Sequence, residues 1–366
     1  MKLKSLFFLI TAVVITYAAY HYNSKSGQQS VDANSNLIPG LAGNLNAVSK
    51  FTVTEVGNAL LSEVSKSEKG WVVNNRDGYQ ANIAAVRNML NNLAEARLIE
   101  AKTANPENYS KLGVEDISNE NAQGILFSLQ GLDDAYEIIM GNNGSSGKNT
   151  QYVRRKDQQQ SWLTNKKLNL SRDVTDWLHK DILDIPPERI KSIQIKHPDA
   201  SEVNIANDGE QEYEYTLDAI APEGMKISES EIYQVANALS SMQLRDVTTF
   251  SKLKIESITP VVTIFKTYDG LTITTKAYAI DIDRYFTIEV DFSADDVDES
   301  AMKAADDIEL HADVAVDTAM HSNPKVAAEL AEKSKQKLTG WAYQFPSITQ
   351  DALVKKLEFF FIEKDA

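Results

Sequence analysis

The residues best suited to chemistry are few and scattered. The run Gly141-Asn142-Asn143-Gly144-Ser145-Ser146-Gly147-Lys148-Asn149-Thr150 sets glycines beside a lysine, as a phosphate-cradling loop does. A Walker-type loop follows its lysine with Ser or Thr to hold magnesium and opens a helix whose N-terminal amides face the phosphates. Here five residues separate Gly141 from Gly147, one more than that spacing allows, Asn149 follows the lysine, and 152–155 read as a strand. The segment is expected to be a hairpin loop. The histidines, His21, His179, His197, His311 and His321, never fall at the two-His helical spacing of a zinc peptidase. His311 with Asp306, Asp307, Glu309, Asp313 and Asp317 offers donors that suit divalent metals, but no glycine-bearing turn organises them and like-charge runs are ordinarily solvated. Asp176 and His179 have the spacing of a base and its orienter on a helix, without a serine on a strained elbow to serve. Asp133 and Asp134 are adjacent and point apart, so they do not flank one substrate bond. No catalytic, cofactor or metal residue is assigned, and the chain is expected to be non-enzymatic. Arg154 and Arg155 sit on consecutive strand positions, so at least one is expected at the surface as a partner contact. Trp71, Trp162, Trp177 and Trp341 have apolar neighbours and are expected in cores.

The composition narrows the class. With 366 residues, 43% hydrophobic and 24% charged, the chain is long enough for two or three packed domains and too balanced for a disordered, collagenous or polytopic membrane protein. Lys plus Arg total 37 against 52 Asp plus Glu, a net charge of −15 that argues against nucleic acid as a partner. There is no cysteine, which excludes disulfides, Cys-ligated zinc, iron–sulfur clusters and thiol catalysis, and fits an oxidising compartment.

Residues 1–24 carry Lys2 and Lys4 and then no Asp, Glu, Lys or Arg. The apolar part, 6–20, has the length of a long signal h-region and falls slightly short of a full bilayer span. Thr16-Tyr17-Ala18 is a mediocre cleavage site, whereas Tyr17, Tyr20 and Tyr22 suit a membrane interface. The segment is therefore expected to be an uncleaved anchor, with a cleaved signal as the alternative. Lys2 and Lys4 place its start in the cytoplasm and everything after it outside.

Residues 25–50, rich in Asn, Ser, Gly and Gln, are expected to form a stalk, with Leu37, Ile38 and Leu41 docking on the globular part. Beyond the stalk, one pattern organises the chain. Ile83, Val86, Leu90 and Leu93 mark an amphipathic helix, and Ile232, Val235, Leu239 and Met242 repeat its spacing 149 residues later. Two strand-like runs precede each helix (51–56 and 71–73; 190–196 and 213–217) and three follow (124–130, 135–140 and 151–155; 260–268, 271–280 and 284–292), with Asp269-Gly270 as a turn. The expected fold is α+β: two tandem duplicated domains, 51–171 and 188–292, each an antiparallel sheet with one main helix. Residues 172–187 are expected as a linker helix holding Trp177. Residues 291–317 hold ten acidic side chains against one lysine, Lys303, and 293–323 are expected to be a solvated acidic insert. Residues 324–366 are expected to be a helical pair hinged at Tyr343-Gln344-Phe345-Pro346.

Asn36-Leu37-Ile38-Pro39-Gly40-Leu41, Gly70-Trp71-Val72-Val73, Lys102-Thr103-Ala104-Asn105-Pro106-Glu107-Asn108-Tyr109, Leu112-Gly113-Val114-Glu115-Asp116, the run 150–155, Trp177-Leu178, Asp184-Ile185-Pro186 and Gly340-Trp341-Ala342-Tyr343 together resemble the domain-of-unknown-function family 4340. The resemblance implies a bacterial protein with one N-terminal membrane segment, encoded near ABC-type transporter genes similar to gliding-motility export components. It implies an accessory role and brings no catalytic residues. The expectation is a single-pass inner-membrane protein with its bulk in the periplasm, acting as an accessory or scaffold subunit of an ABC-type transporter or envelope complex, with an integral-membrane ABC-type transporter subunit as partner. The alternative is a ligand-binding module using the cleft between its domains.

Overall fold

The computed structural model describes residues 33–144, 149–207, 214–298 and 323–364. The chain divides into two compact units, one of Met1–Glu63 with Ala84–Arg172, the other of Val64–Ile83 with Asp173–Ala366. Both consist mostly of antiparallel sheet with few helices, which fits an α+β or a mainly-β class.

Alternating sequence makes the strands of the first unit. In β1 (Lys50–Glu55) Phe51 and Val53 are fully buried while Lys50, Thr52 and Thr54 remain at the margin, as the period of two requires. β2 (Ala59–Ser67) starts in this unit and ends in the other, which also takes β3 (Gly70–Val73) and β4 (Tyr79–Gln80). Helix α1 (Ile83–Glu95) buries Val86, Met89, Leu90, Leu93 and Ala94 as one stripe, while Ile83 at its start stays largely exposed. β5 (Leu98–Ala101), β6 (Ile125–Gln130), β7 (Tyr136–Asn143), β8 (Gln151–Arg155) and β9 (Ser161–Thr164) complete the unit. The strand order is β2-β1-β6-β7-β8-β9-β5, so the strand leaving α1 closes the far edge. Register puts Val53, Phe127, Ile138 and Arg155 on one face, and Leu126, Ile139, Arg154 and Ser161 on the other. Leu37, Ile38 and Leu41 are fully buried, and Leu37 N donates to Ala96 O at 2.8 Å, so this end of the expected stalk belongs to the core.

The second unit continues with β10 (Asp181–Leu183), β11 (Ile190–Lys196), β12 (Glu202–Asn207), β13 (Tyr215–Leu217), β14 (Met225–Ile227) and α2 (Glu229–Ala236). Then come β15 (Met242–Gln243), β16 (Asp246–Thr249), β17 (Val261–Thr267), β18 (Asp269–Ile280), β19 (Asp283–Val297), α3 (Pro324–Leu338), β20 (Trp341–Gln344), α4 (Ser347–Leu353) and β21 (Phe361–Glu363). Its main sheet runs β13-β12-β11-β17-β18-β19-β20-β16, and again the far edge is closed by a strand that follows the helix. β10 pairs with β15, and β14 with β21. α3 lies along β18 and β19, burying Ala327, Ala331, Ser334 and Leu338. At the head of the sheet Arg189 donates to Asp269 at 2.6 Å, with the aspartate 1% exposed.

Several expectations are corrected. The Asp269-Gly270 turn is a bulge inside β18: register shifts between Asp269 and Leu271, Gly270 has φ +89°, and a Cβ there would lie 2.6 Å from Ser293 O. The linker helix is only a 3₁₀ turn, Val174–Trp177, because the chain after it pairs instead: Asn82 N donates to Trp177 O at 2.7 Å and His179 N to Gln80 O at 3.0 Å. The C-terminal helical pair is also different. Tyr343 and Gln344 of the expected hinge belong to β20, α4 ends at Leu353, and a 3₁₀ turn (Leu357–Phe360) leads into β21, which pairs with β14. Residues 291–297 of the acidic stretch extend β19, and 299–317 lie outside the described residues. Among the described residues no helix is long and apolar enough to cross a membrane. Residues 1–24, where an anchor is expected, lie outside them.

Side chains of 76–79 explain why Val64–Ile83 counts with the second unit. Arg76 grips Asp246 of β16 bidentately, at 2.6 and 2.9 Å. Asp77, in the left-handed region at φ 59°, accepts from Thr249 N at 2.9 Å, from the Thr248 and Thr249 hydroxyls and from Lys252. Tyr79 meets Trp341 edge-on at 4.9 Å. Burial alone would raise the Asp77 pKa, but those donors, Lys252 foremost, hold it down to about 2. A depressed carboxylate stabilises the fold above its unfolded pKa, and that contribution is lost as pH falls through the folded value. Denaturant midpoints of the second unit should therefore fall as pH drops from the ordinary 3.8 toward about 2, and Asp77→Asn should flatten that interval. An identical profile in the variant would remove Asp77 from this role.

Candidate functional site

The most site-like cluster is built around Arg154 in the first unit. The chain between β5 and β6 crosses the sheet face that carries Leu126 and Ile139. Asn105 caps its first turn, Pro106–Lys111, by accepting from Glu107 N at 3.1 Å, and the turn presents Tyr109 inward. Tyr109, Val114 and Ile117 then form one buried cluster with Leu126 and Ile139. The crossing bends at Gly113, φ +67°, and passes so near β7 that a Cβ on Gly141 would lie 2.2 Å from Leu112 O. Asn142 N donates to that same oxygen at 2.8 Å.

Arg154, 3% exposed, binds this excursion to the sheet. Its Nε donates to Val114 O at 2.9 Å, one terminal nitrogen to Gln158 O at 3.1 Å and Lys156 O at 3.4 Å, and the other to Asp116 Oδ1 at 2.8 Å. The guanidinium carbon stands 4.6 Å from the centre of the Tyr109 ring, a cation–π contact. The Tyr109 hydroxyl donates to Gln159 O at 2.5 Å. Burial raises the phenol pKa, Arg154 opposes the rise and Asp116 adds to it. Beside the arginine opens a cavity of about 550 Å³ lined by Tyr109, Glu115, Asp116, Arg154, Asp157 and Gln158, among others. Glu115 is 8% exposed, and its Oε2 is buried with no hydrogen-bond partner.

Arg155 does similar work on the opposite face. It is 8% exposed and donates from Nε and a terminal nitrogen to Leu37 O, at 3.2 and 2.8 Å, and to Asn36 O at 3.2 Å. Burial lowers its pKa, with Asp157 and Tyr136 opposing. The expectation that one of the two arginines is exposed is therefore corrected: both faces of β8 are covered, and buried backbone carbonyls on each need donors.

The other candidates do not assemble into a site. The stretch 141–150 joins β7 to β8, with Gly144 N donating to Thr150 O at 3.0 Å, and 145–148 lie outside the described residues. His21, His311 and His321, with Asp306, Asp307, Glu309, Asp313 and Asp317, lie outside them too. Among the described residues no three His, Asp or Glu side chains converge as a metal site requires. Asp176 accepts from Lys180 at 3.4 Å, and burial, with Lys337 nearby, lowers the His179 pKa. His197 is buried with Nε2 3.3 Å from Lys355 O. Trp162 and Trp177 are buried, whereas Trp71 and Trp341 are half-exposed. Glu115 and Asp116 escaped notice as functional residues because adjacent acids in an irregular segment carry no periodic signal. Chemically, the Arg154 cavity offers acceptors in a partly dry setting and can hold and orient a ligand's donors.

A family model described as domain of unknown function (DUF4340) matches residues 71–257. The chain belongs to this family. The match contains Tyr109, Glu115, Asp116, Arg154 and Arg155, while the similar segments 36–41 and 340–343 fall outside it. No curated protein and no solved structure matches the chain. Arg154→Met keeps the apolar length of the side chain but strips the donors from Val114 O, Gln158 O and Asp116. Val114 O is then left buried without a donor and Gln158 O partly so, whereas the half-exposed Asp116 can turn to water; at ~1–3 kcal/mol for a buried acceptor left unmet, the first unit should lose about 2 kcal/mol or more in urea unfolding. A loss below about 1 kcal/mol would mean that Arg154 is not the clasp.

Proposed function

We propose that the chain is a non-enzymatic accessory or scaffold subunit, anchored in a bacterial inner membrane by residues 1–24 and presenting two duplicated α+β units in the periplasm to an integral-membrane ABC-type transporter subunit. The observation that carries this reading is the use made of buried charge: Arg154, Arg155 and the Arg189–Asp269 pair all hold irregular chain or strand ends in place, as befits a rigid platform. The duplication is supported by the two strand orders, β2-β1-β6-β7-β8-β9-β5 and β12-β11-β17-β18-β19-β20-β16, each closed by a strand that follows the helix. The offset of 149 that relates the helices also carries Leu98 on β5 to Val247 on β16, both buried at that edge. Lys2 and Lys4 support the cytoplasmic start, and the family resemblance supports the kind of partner.

Crosslinking in native membranes followed by pull-down of the full-length chain is the test. The expected result is a transporter membrane subunit recovered in crosslinked form, with Met1 still present on N-terminal sequencing. Recovery of no membrane protein, or a mature chain starting after residue 24, would count against the scaffold and the anchor respectively.

A further inference from the structure

We propose that the cavity lined by Arg155 binds a small α-amino acid, with the ligand's carboxylate on Arg155 Nη1 and its ammonium group on Asp157. Arg155 is 8% exposed, and its Nε and Nη2 are taken by the carbonyls of Asn36 and Leu37. Nη1 donates to nothing among the described residues, yet it is not one of the buried atoms left without a partner. Its two N–H groups are therefore within reach of solvent, on a side chain otherwise held rigid by the fold. The cavity at this side chain has a volume of about 420 Å³ and is walled also by Pro39, Asp134, Tyr136, Glu137 and Asp157, among others.

The acids around the cavity fall into two kinds. Glu137 is neutralised by Lys156, at 3.1 and 3.2 Å. Asp134 and Asp157 are exposed, and their carboxylates accept no hydrogen bond among the described residues. Asp157 stands close enough to hold up the Arg155 pKa against burial, but no ion pair joins the two. A gap is left between opposite charges on one wall. A ligand of a single sign meets only half of this arrangement: an anion is repelled by Asp134 and Asp157, and a cation leaves the Nη1 donors facing a like charge. A metal ion is disfavoured too, because no three carboxylate or imidazole groups converge among the described residues. A zwitterion meets both halves, since its carboxylate accepts from the planar guanidinium and its ammonium group brings three donors to the aspartate. In an α-amino acid one carbon separates the two charges, which suits an acid only two residues along the chain from the arginine. The volume leaves room for a short side chain against Pro39 and Ala135. The site lies within the first unit and does not depend on the scaffold role.

The test uses the full-length chain in detergent and three probes: L-serine, L-serinamide, which lacks the carboxylate, and N-acetyl-L-serine, which lacks the ammonium group. Calorimetry should show saturable binding of L-serine, with each analogue weaker by about tenfold or more, the scale of one charge-assisted hydrogen bond. L-serinamide probes the contact to Arg155 without a substitution, which would also release the 36–37 carbonyls. Asp157→Asn alters an exposed side chain that no hydrogen bond holds, so urea unfolding should be unchanged. L-serine binding to that variant should fall about fivefold or more, the lower end for a charged contact because the carboxylate is exposed. Hydrogen exchange on adding L-serine should slow in peptides covering 134–137 and 155–158. Absence of saturable L-serine binding, an analogue that binds as tightly, undiminished binding by Asp157→Asn, or protection elsewhere or nowhere overturns the proposal.

Discussion

Arg154 and Arg155 are neighbours on one strand, so their side chains enter opposite faces of the same sheet, and much of the first unit depends on that geometry. Each face is roofed by chain without regular hydrogen bonding: the 102–124 excursion on one side, the 34–41 segment on the other. Roofing of this kind buries backbone carbonyls that no neighbouring strand can satisfy. A guanidinium offers five donors in a fixed plane and keeps its charge under desolvation, so a single residue can close several carbonyls at once. Lysine presents a point charge on a flexible stem and would not reach Val114 O, Gln158 O and Asp116 together. The clasp also explains why Arg155 tolerates burial without a carboxylate in direct contact: its partners are carbonyl dipoles at 2.8–3.2 Å.

The second unit meets related demands with ion pairs. Arg189 and Asp269 are both buried and close the start of β11 onto the bulge of β18. Such a pair gains little over an apolar substitute, because desolvation consumes most of its Coulomb energy, but removing one partner strands the other. Arg76 with Asp246, and Asp77 with its four donors, are more exposed and individually weak. Their weight lies in geometry: a bidentate grip and a fully satisfied carboxylate fix the 74–77 turn against β16, after which Tyr79 can pack its ring on Trp341. The unit boundary inside β2 follows from these contacts rather than from any break in the strand.

What the sequence made legible was whatever repeats with a period. β1, β6, β11 and β17 alternate or run apolar, and both main helices carry their stripe, so the sheet-rich character and the place of those two helices could be read. β5, β9, β16 and β20 could not. They are four residues each, at or next to the far edge of their sheets, and a strand that short is set by its partner: Thr164 faces Leu98 and Tyr343 faces Val247 only once the chain has returned from elsewhere. Tyr343-Gln344-Phe345-Pro346 reads as a hinge because it ends in proline, yet Tyr343 and Gln344 belong to β20 and both Tyr343 and Phe345 are fully buried. The arginine pair misled for a related reason. Two charges in a row suggest exposure when the strand is imagined alone, and the roofs that bury them come from chain some 40 residues and more than 100 residues away.

The course of the 102–124 excursion over the sheet is set by contact of backbone with backbone. Without Cβ atoms, Gly124 and Gly141 let Leu112 O and Gly113 O come within distances that any other residue would forbid, 2.2–2.4 Å from where a Cβ would stand. Backbone pressed on backbone has little room to adjust, since neither side has a rotamer to change. The consequence reaches the chain that leads into the two acids: Val114 accepts from Arg154 at its carbonyl and donates its N–H to Tyr109 O at 3.1 Å, so the main chain entering Glu115 and Asp116 is pinned at both polar groups of that residue.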